Sequence, residues 1–342
     1  MSIPLLRPSI KRSDMDSVLT CMVSDSLGSG ALAQRLVRDL SEYLGVEGGM
    51  ALREYRRAVD CAVDALGLGA GSRVILSPLS PRVYRDVLEQ KGIVPVYVDV
   101  EMETGCIDPG EIEKLTGQEI GAVIVHATLG YSPDMQVLMD FGVPVLEDIS
   151  HALGAHNGSR RLGSYGDYVV LSMEPEGIVT SGGGAVLLGR GRKEAAALTK
   201  ISSTLSADLL LSDLNAALGI TQVRKLNSFL QRRREIAAVF TRAVMQSRHG
   251  ILAQKAEGEN VNFSFPVLLD SGMKDVQAYA RKKGVETRPA FTDSALAGLS
   301  SEEGDGLPKA KALMLRCLLF PLYPTLTTEG IRQIERTLAS LP

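Results

Sequence analysis

The sequence predicts an α/β protein in two parts, a large domain on a mostly parallel central sheet and a small C-terminal α/β domain. Three observations carry this. Short β-branched runs alternate with helical patterns through the first part of the chain, the rhythm of a buried parallel sheet covered by helices. Residues 212–249 then hold apolar residues at helical spacing for longer than an ordinary globular helix. Finally, 342 residues exceed what a single core usually organises.

Taken in order, residues 55–66 form a helix that ends near Gly67 and Gly69, and Ala70, Gly71 and Ser72 turn the chain into a strand at Arg73. Strands are expected at residues 73–76, 94–98, 122–126, 143–147, 168–172 and 185–188. Gly182, Gly183 and Gly184 read as a tight turn between strands, because no Lys-Ser or Lys-Thr pair follows to make a phosphate loop. The helical stretch, with Leu214, Ala217, Leu218, Val223, Leu226, Leu230, Ile236 and Val239 on its apolar side, suits a connector between domains. The expected division is residues 1–211 with the N-terminal segment, a connector at 212–250, and a small domain at 251–342. That last part should hold a strand at 262–269, a helix at 274–283 and a final helix from Thr328. Residues 300–306, Ser-Ser-Glu-Glu-Gly-Asp-Gly, read as an exposed loop.

Composition narrows the function classes. With 45% hydrophobic and 23% charged residues the chain is globular. Its net charge is −3 and its basic residues are dispersed, apart from Arg232, Arg233 and Arg234, which read as a solvated helix face. Nucleic acid is therefore not an expected partner. Neither a signal-like N-terminus nor a membrane-spanning apolar run is apparent, so a cytoplasmic protein is expected. Cys21, Cys61, Cys106 and Cys317 lie far apart and without His at ligand spacing, which predicts reduced thiols in or near the core and no metal site.

Specific motifs go further. Ile3-Pro4-Leu5-Leu6-Arg7-Pro8 opens the chain, and Ser26-Leu27-Gly28-Ser29-Gly30 loosely continues an S-G-x-L pattern. Residues 92–109 read G-I-V-P-V-Y-V-D-V-E-M-E-T-G-C-I-D-P. His126, Gly130, Asp134 and Met135 keep the spacing V-H-x-x-G-x-x-x-D-M, and residues 147–155 read E-D-I-S-H-A-L-G-A. Residues 212–219 and 232–237, with Gln222 and Leu226, fit a long-helix motif, and residues 319–327 read L-F-P-L-Y-P-T-L-T. In this order the blocks resemble, from end to end, the DegT/StrS-type sugar aminotransferases. The resemblance implies an aspartate-aminotransferase-like fold (fold type I of the pyridoxal-phosphate enzymes) and a homodimer whose sites lie at the interface.

It also implies a site. Pyridoxal-phosphate chemistry needs a lysine imine, a carboxylate on the ring nitrogen and donors for the phosphate. By resemblance Asp148 takes the ring nitrogen, His151 lies beside the ring and Ser172 contacts the phosphate; a capping aspartate, a structural histidine and a strand-end cap are the plainer alternatives. The lysine position falls on Glu176 or Gly177 or is deleted, and no Lys occurs between Lys114 and Lys193. The family's phosphate turn aligns with Glu54-Tyr55-Arg56-Arg57, its ring-stacking aromatic with Pro81, and the asparagine it lends to the neighbouring subunit's phosphate with Asp208. Arg56 and Arg57 are candidates for a substitute phosphate contact or, more simply, solvated surface groups. The expectation is a degenerate member without a catalytic lysine, a homologue that binds a sugar or nucleotide-sugar or assembles with a partner. A working aminotransferase of a nucleotide-linked keto-sugar is the alternative. A third reading has acid–base chemistry from Asp148, His151 and Glu174 or Glu176.

Overall fold

In the computed structural model of the chain, which describes residues 2–24, 27–255 and 258–342, seven strands form the central sheet. They are β1 (Gly48–Leu52), β2 (Arg73–Leu76), β3 (Val94–Tyr97), β4 (Ala122–His126), β5 (Val145–Asp148), β8 (Tyr168–Ser172) and β9 (Ala185–Gly189), in the order β1-β9-β8-β5-β4-β2-β3. A small hairpin of β6 (His156–Asn157) and β7 (Arg160–Arg161) stands apart. Strands β3, β2, β4, β5 and β8 are parallel neighbours, whereas β9 runs antiparallel to both β8 and β1. The mostly parallel sheet expected from the alternating runs is present. Ser26, in the motif at residues 26–30, lies outside the described residues.

Alternation of side chains along each strand divides the core in two. Val74 and Leu76 of β2 face one cluster with α3 (Tyr55–Ala65), α4 (Arg82–Gln90) and α7 (Arg192–Ser202); Ile75 faces another. That second cluster draws on α2 (Ala31–Leu44), α5 (Pro109–Glu113), α6 (Met135–Asp140) and α8 (Asp213–Arg224). Because both faces are covered, β2, β4 and β5 are buried almost throughout; β2 and β4 accordingly carry apolar runs at residues 74–76 and 122–125, whereas β5 ends in the buried acids Glu147 and Asp148.

A second, antiparallel sheet of four strands has the order β10 (Gly250–Ile251), β11 (Phe265–Leu268), β13 (Cys317–Phe320), β12 (Arg288–Pro289). Its core joins α9 (Leu226–Val244), α10 (Met273–Lys282) and α13 (Thr328–Ala339). The N-terminal segment runs with this sheet rather than the first: Ile3 bridges Val285, donating to Gly284 O at 2.8 Å.

Three expectations need correction. Residues 212–249 form two helices that part at Lys225, whose Nζ bonds Asp14 Oδ1 at 2.6 Å and Ser13 Oγ at 2.7 Å on α1 (Arg12–Met22). Helix α8 packs on α1 and α2, while α9 packs on α13 and the second sheet, so one apolar pattern serves two cores. Arg233 is not part of a solvated face but is only 3% exposed, and its Nη1 donates to the carbonyls of Asn262, Phe263 and Leu322. Residues 300–306 are not simply loop. Ser300 and Glu303 form a reciprocal capping box that starts α11 (Ser301–Gly304), and α12 (Pro308–Arg316) follows.

All four cysteines are buried, and no disulfide occurs among the described residues. Also among them, no helix is long and apolar enough to cross a membrane, and no cluster of three or more acidic, His or Cys side chains is disposed to hold a metal.

Candidate functional site

Strands β4, β5 and β8 are parallel neighbours, so their last residues, His126, Asp148 and Ser172, come to one edge of the sheet, with His126 paired to Asp148 and Ser172 just beyond Val170, the partner of Asp148. This is the edge where open α/β sheets present their sites. A cavity of about 390 Å³ opens there, closed on its far side by residues 288–294 and Leu319 of the second sheet. His151, Ser172, Glu174, Glu176 and Gly177 line it, as does Pro81. No lysine does.

Asp148 is fully buried immediately behind the lining. Its Oδ1 accepts from the Ser150 amide at 2.9 Å and the Ser150 hydroxyl at 2.5 Å; its Oδ2 accepts from His126 Nδ1 at 2.9 Å and the Tyr55 hydroxyl at 2.6 Å. Burial alone would raise this carboxyl, but the His126 ring and the bonds from His126, Ser150 and Tyr55 outweigh it. The group is held well below the ordinary carboxylate range. An ionised carboxylate only accepts, so His126 carries its proton on Nδ1 and Tyr55 acts as donor. Burial first, and the Asp148 charge second, push the Tyr55 phenol up and keep it neutral.

The chain of contacts continues from His126 Nε2 to His151 Nδ1 at 3.2 Å. His151 in turn stacks on Phe263, with centroids 3.9 Å apart and planes 20° from parallel. Burial, then the neighbouring His126, lower His151 to about 3, so its ring is neutral at ordinary pH. The His151–Phe263 pair therefore gives the cavity a flat, uncharged wall.

The segment from Ser172 to Gly184 is folded tightly. Met173 N donates to Gly184 O at 2.8 Å, and Ser181 N returns to Met173 O at 3.0 Å. Gly182, Gly183 and Gly184 all have positive φ, of 78°, 127° and 102°, which makes the tight turn expected for them. A Cβ on Gly177 would lie 2.6 Å from Val179 O, so no longer side chain fits without a backbone shift. Glu176, the other position on which the resemblance put the lysine, faces Arg288 Nη2 at 3.8 Å.

Other expected residues are elsewhere. Arg56 bonds Gln90 and Arg57 bonds Asp60, both away from the cavity. Asp208 sits exposed in a turn at residues 207–209 and does not line the cavity; the Ser206 hydroxyl holds its carboxyl below the ordinary range. Sequence reasoning gave no role to Tyr55, Phe263 or Arg288. Tyr55 stands 93 residues from Asp148, and no local pattern links the two.

Comparison with known proteins gives the same frame. A sequence model described as the DegT/DnrJ/EryC1/StrS aminotransferase family matches residues 8–339. The chain is 27% identical to the dTDP-4-amino-4,6-dideoxy-D-glucose transaminase of Shigella dysenteriae, over 92% of this chain and 91% of that protein. Its fold is similar to that of a putative sugar aminotransferase from Streptococcus pneumoniae in the PLP form, with TM-score 0.88, 20% identity and coverage of 99% of this chain and 98% of that one. It is also similar to a GDP-4-keto-6-deoxymannose-3-dehydratase solved with bound GDP-perosamine, with TM-score 0.89, 17% identity and coverage of 98% and 99%.

Proposed function

Because the chain belongs to the DegT/DnrJ/EryC1/StrS aminotransferase family, we propose that it uses the family cleft to bind a sugar or nucleotide-linked sugar without lysine-dependent transamination. The observation that carries this is the cavity lining: by resemblance the lysine position falls on Glu176 or Gly177 or is deleted, and among the described residues no lysine lines the cavity. Pyridoxal phosphate would supply an electron sink to an amino-group transfer. The side chains present do not fit it. Asp148, the partner a ring nitrogen would need, already accepts four hydrogen bonds. Of the residues aligned with the family's phosphate turn, Tyr55 lines the cavity, whereas Glu54, Arg56 and Arg57 lie outside it and bring no donor to a phosphate there.

A sugar suits the lining better. The His151–Phe263 wall is flat and apolar enough to take the C–H face of a pyranose, and Thr128, Ser172 and Ser294 are among the polar residues that line the same cavity. The third reading, general acid–base chemistry, is weakened by His151. A base lowered to about 3 is poorly matched to proton abstraction near neutrality. A relative bound to GDP-perosamine supports the nucleotide-sugar class, and a cytoplasmic location goes with that reading.

The test combines calorimetry with pyridoxal phosphate and with nucleotide-sugars, and borohydride treatment of the pyridoxal-phosphate mixture followed by intact mass. Heat with a nucleotide-sugar and no stoichiometric adduct is expected. A single-site adduct on one lysine would instead establish the working aminotransferase.

The same reading includes a homodimer. Its support is not the apolar side of residues 212–249, which the chain covers itself, but α1, where Met15, Leu19 and Met22 are 54%, 52% and 56% exposed at helical spacing. Light scattering at micromolar concentration should give twice the 36.6 kDa chain mass. A monomer at every dilution would refute the dimer.

A further inference from the structure

We propose that Tyr55 is an internal ligand of the old ring site: its phenol occupies the Asp148 oxygen that a pyridine nitrogen would take, and this single side chain keeps pyridine cofactors out. The inference rests on the reading above, in which Asp148 and its neighbours descend from a cofactor site. It adds the residue responsible and the means of reversing it.

Asp148 accepts from donors on three residues, Ser150, His126 and Tyr55. Ser150 is two residues away on the same turn, and His126 is on the adjacent strand paired residue for residue with Asp148. Those bonds are intrinsic to the sheet edge. The fourth is not, because Tyr55 is the first residue of α3 and reaches Oδ2 from the opposite wall. Tyr55 also lines the cavity, so its ring fills space that the cavity would otherwise include. The edge of the buried Tyr84 ring, with centroids 6.3 Å apart and planes at 84°, backs it from behind.

A phenol is a fitting stand-in for a protonated pyridine. Both are flat six-membered rings that present one donor hydrogen to a carboxylate, and both leave the carboxylate ionised. The difference is charge, since the phenol donates without adding a cation. With Tyr55 in place, a pyridinium would have to displace a bonded donor and a packed ring together. With Tyr55 shortened, Asp148 Oδ2 keeps the bond from His126 Nδ1 but loses its second donor, leaving a buried carboxylate oxygen with an open acceptor position toward the cavity, a seat for a protonated ring nitrogen.

The experiment uses the full chain and two small probes, 3-hydroxypyridine and p-cresol, with Tyr55→Gly, Tyr55→Leu, Tyr55→Phe and the double variant Tyr55→Leu with Asp148→Asn. Tyr55→Leu keeps apolar mass near the backbone and vacates the outer part of the ring together with the hydroxyl, so it serves where Tyr55→Gly does not fold. Binding is read by thermal shift, and the protonation of bound 3-hydroxypyridine by its ultraviolet spectrum at a pH where the free ring is neutral. Wild type and Tyr55→Phe should bind neither probe, since the ring still fills the space. Tyr55→Gly or Tyr55→Leu should bind 3-hydroxypyridine roughly tenfold or more above wild type, the scale of one recovered bond to a buried carboxylate, and in its protonated form. The double variant should lose that protonated signature. The proposal is overturned if wild type binds the pyridine as well as the shortened variants do, or if a folded shortened variant binds it no better. Either result leaves the sugar-binding reading standing. Only a wild-type pyridoxal-phosphate adduct removes both.

Discussion

Replacing Asp148 by alanine is expected to destabilise the folded chain by about 3–5 kcal/mol, the range for removing one member of a buried, hydrogen-bonded charged set. Four donors lose their acceptor at once, and two of them, the Tyr55 and Ser150 hydroxyls, have no other acceptor at these distances. The pH dependence follows from direction alone. Asp148 titrates lower in the folded chain than unfolded, so its contribution is fully present above about pH 4 and is lost as pH falls below that. His151 is also lowered, to about 3, so wild-type stability should already decline below about pH 6.5 as the unfolded histidine takes up its proton. Glu147 is shifted the other way: burial raises it against the bonds it accepts from the amides of Gly163, Tyr165 and Gly166. It gives an opposing term common to both proteins. Urea midpoints at pH 7, 5 and 3 separate these. The gap between wild type and Asp148→Ala should hold from pH 7 to 5 and narrow at pH 3; a gap that widens in acid would mean that Asp148 is not ionised in the fold.

Most of the central sheet was legible because burial on both faces leaves a simple mark. Val74, Ile75 and Leu76, or residues 122–125, are apolar without interruption, as expected of short strands covered on both faces. Strand β1 escaped notice for the converse reason. Its sequence, GGMAL, has no β-branched residue, and it is a strand because β9 pairs with it from Gly48↔Gly189 to Leu52↔Ala185. Tertiary pairing decides such a segment, and local propensity does not. The break at Lys225 was hidden similarly. Periodicity runs across it unbroken, and only the position of Asp14, more than two hundred residues earlier, makes the lysine leave the helical line.

The candidate site divides along the same boundary. Asp148, His151 and Ser172 were legible because motif order and strand ends place them, and the structure brings His151 and Ser172 to one cavity with Asp148 behind it. Their partners were not, because Tyr55, Phe263 and Arg288 arrive from three separate elements. Motif order therefore marks positions along the chain, whereas side chains that meet from distant elements leave no local pattern. Tyr55 bonds Asp148 from a segment that the sequence shows only as aligned with the family's phosphate turn.

Arg233 had a signal that composition obscured. Counting along α9, Leu226, Phe229, Leu230, Ile236, Ala237 and Phe240 are all buried, and Arg233 lies in the middle of that stripe at spacings of three, four and seven. Its neighbours Arg232 and Arg234 point outward and pair with Glu235 and Glu259. Burial brings the guanidinium down to about 10, so it stays charged, and Nη1 shares its hydrogens among three carbonyls at 2.8–3.1 Å. Arg233→Met keeps the apolar stem but strands those acceptors, each worth about 1–3 kcal/mol when left buried and unpaired, so a loss of roughly 3 kcal/mol or more is expected. Arg232→Met and Arg234→Met should each cost no more than about 1 kcal/mol, as exposed pairs do. The consequence reaches the cavity, because one of the three carbonyls belongs to Phe263, whose ring carries His151. Hydrogen exchange at residues 262–264 should accelerate in Arg233→Met under conditions where β4 and β5 stay protected. Equal urea midpoints for the three substitutions would show that the buried arginine does not hold this wall.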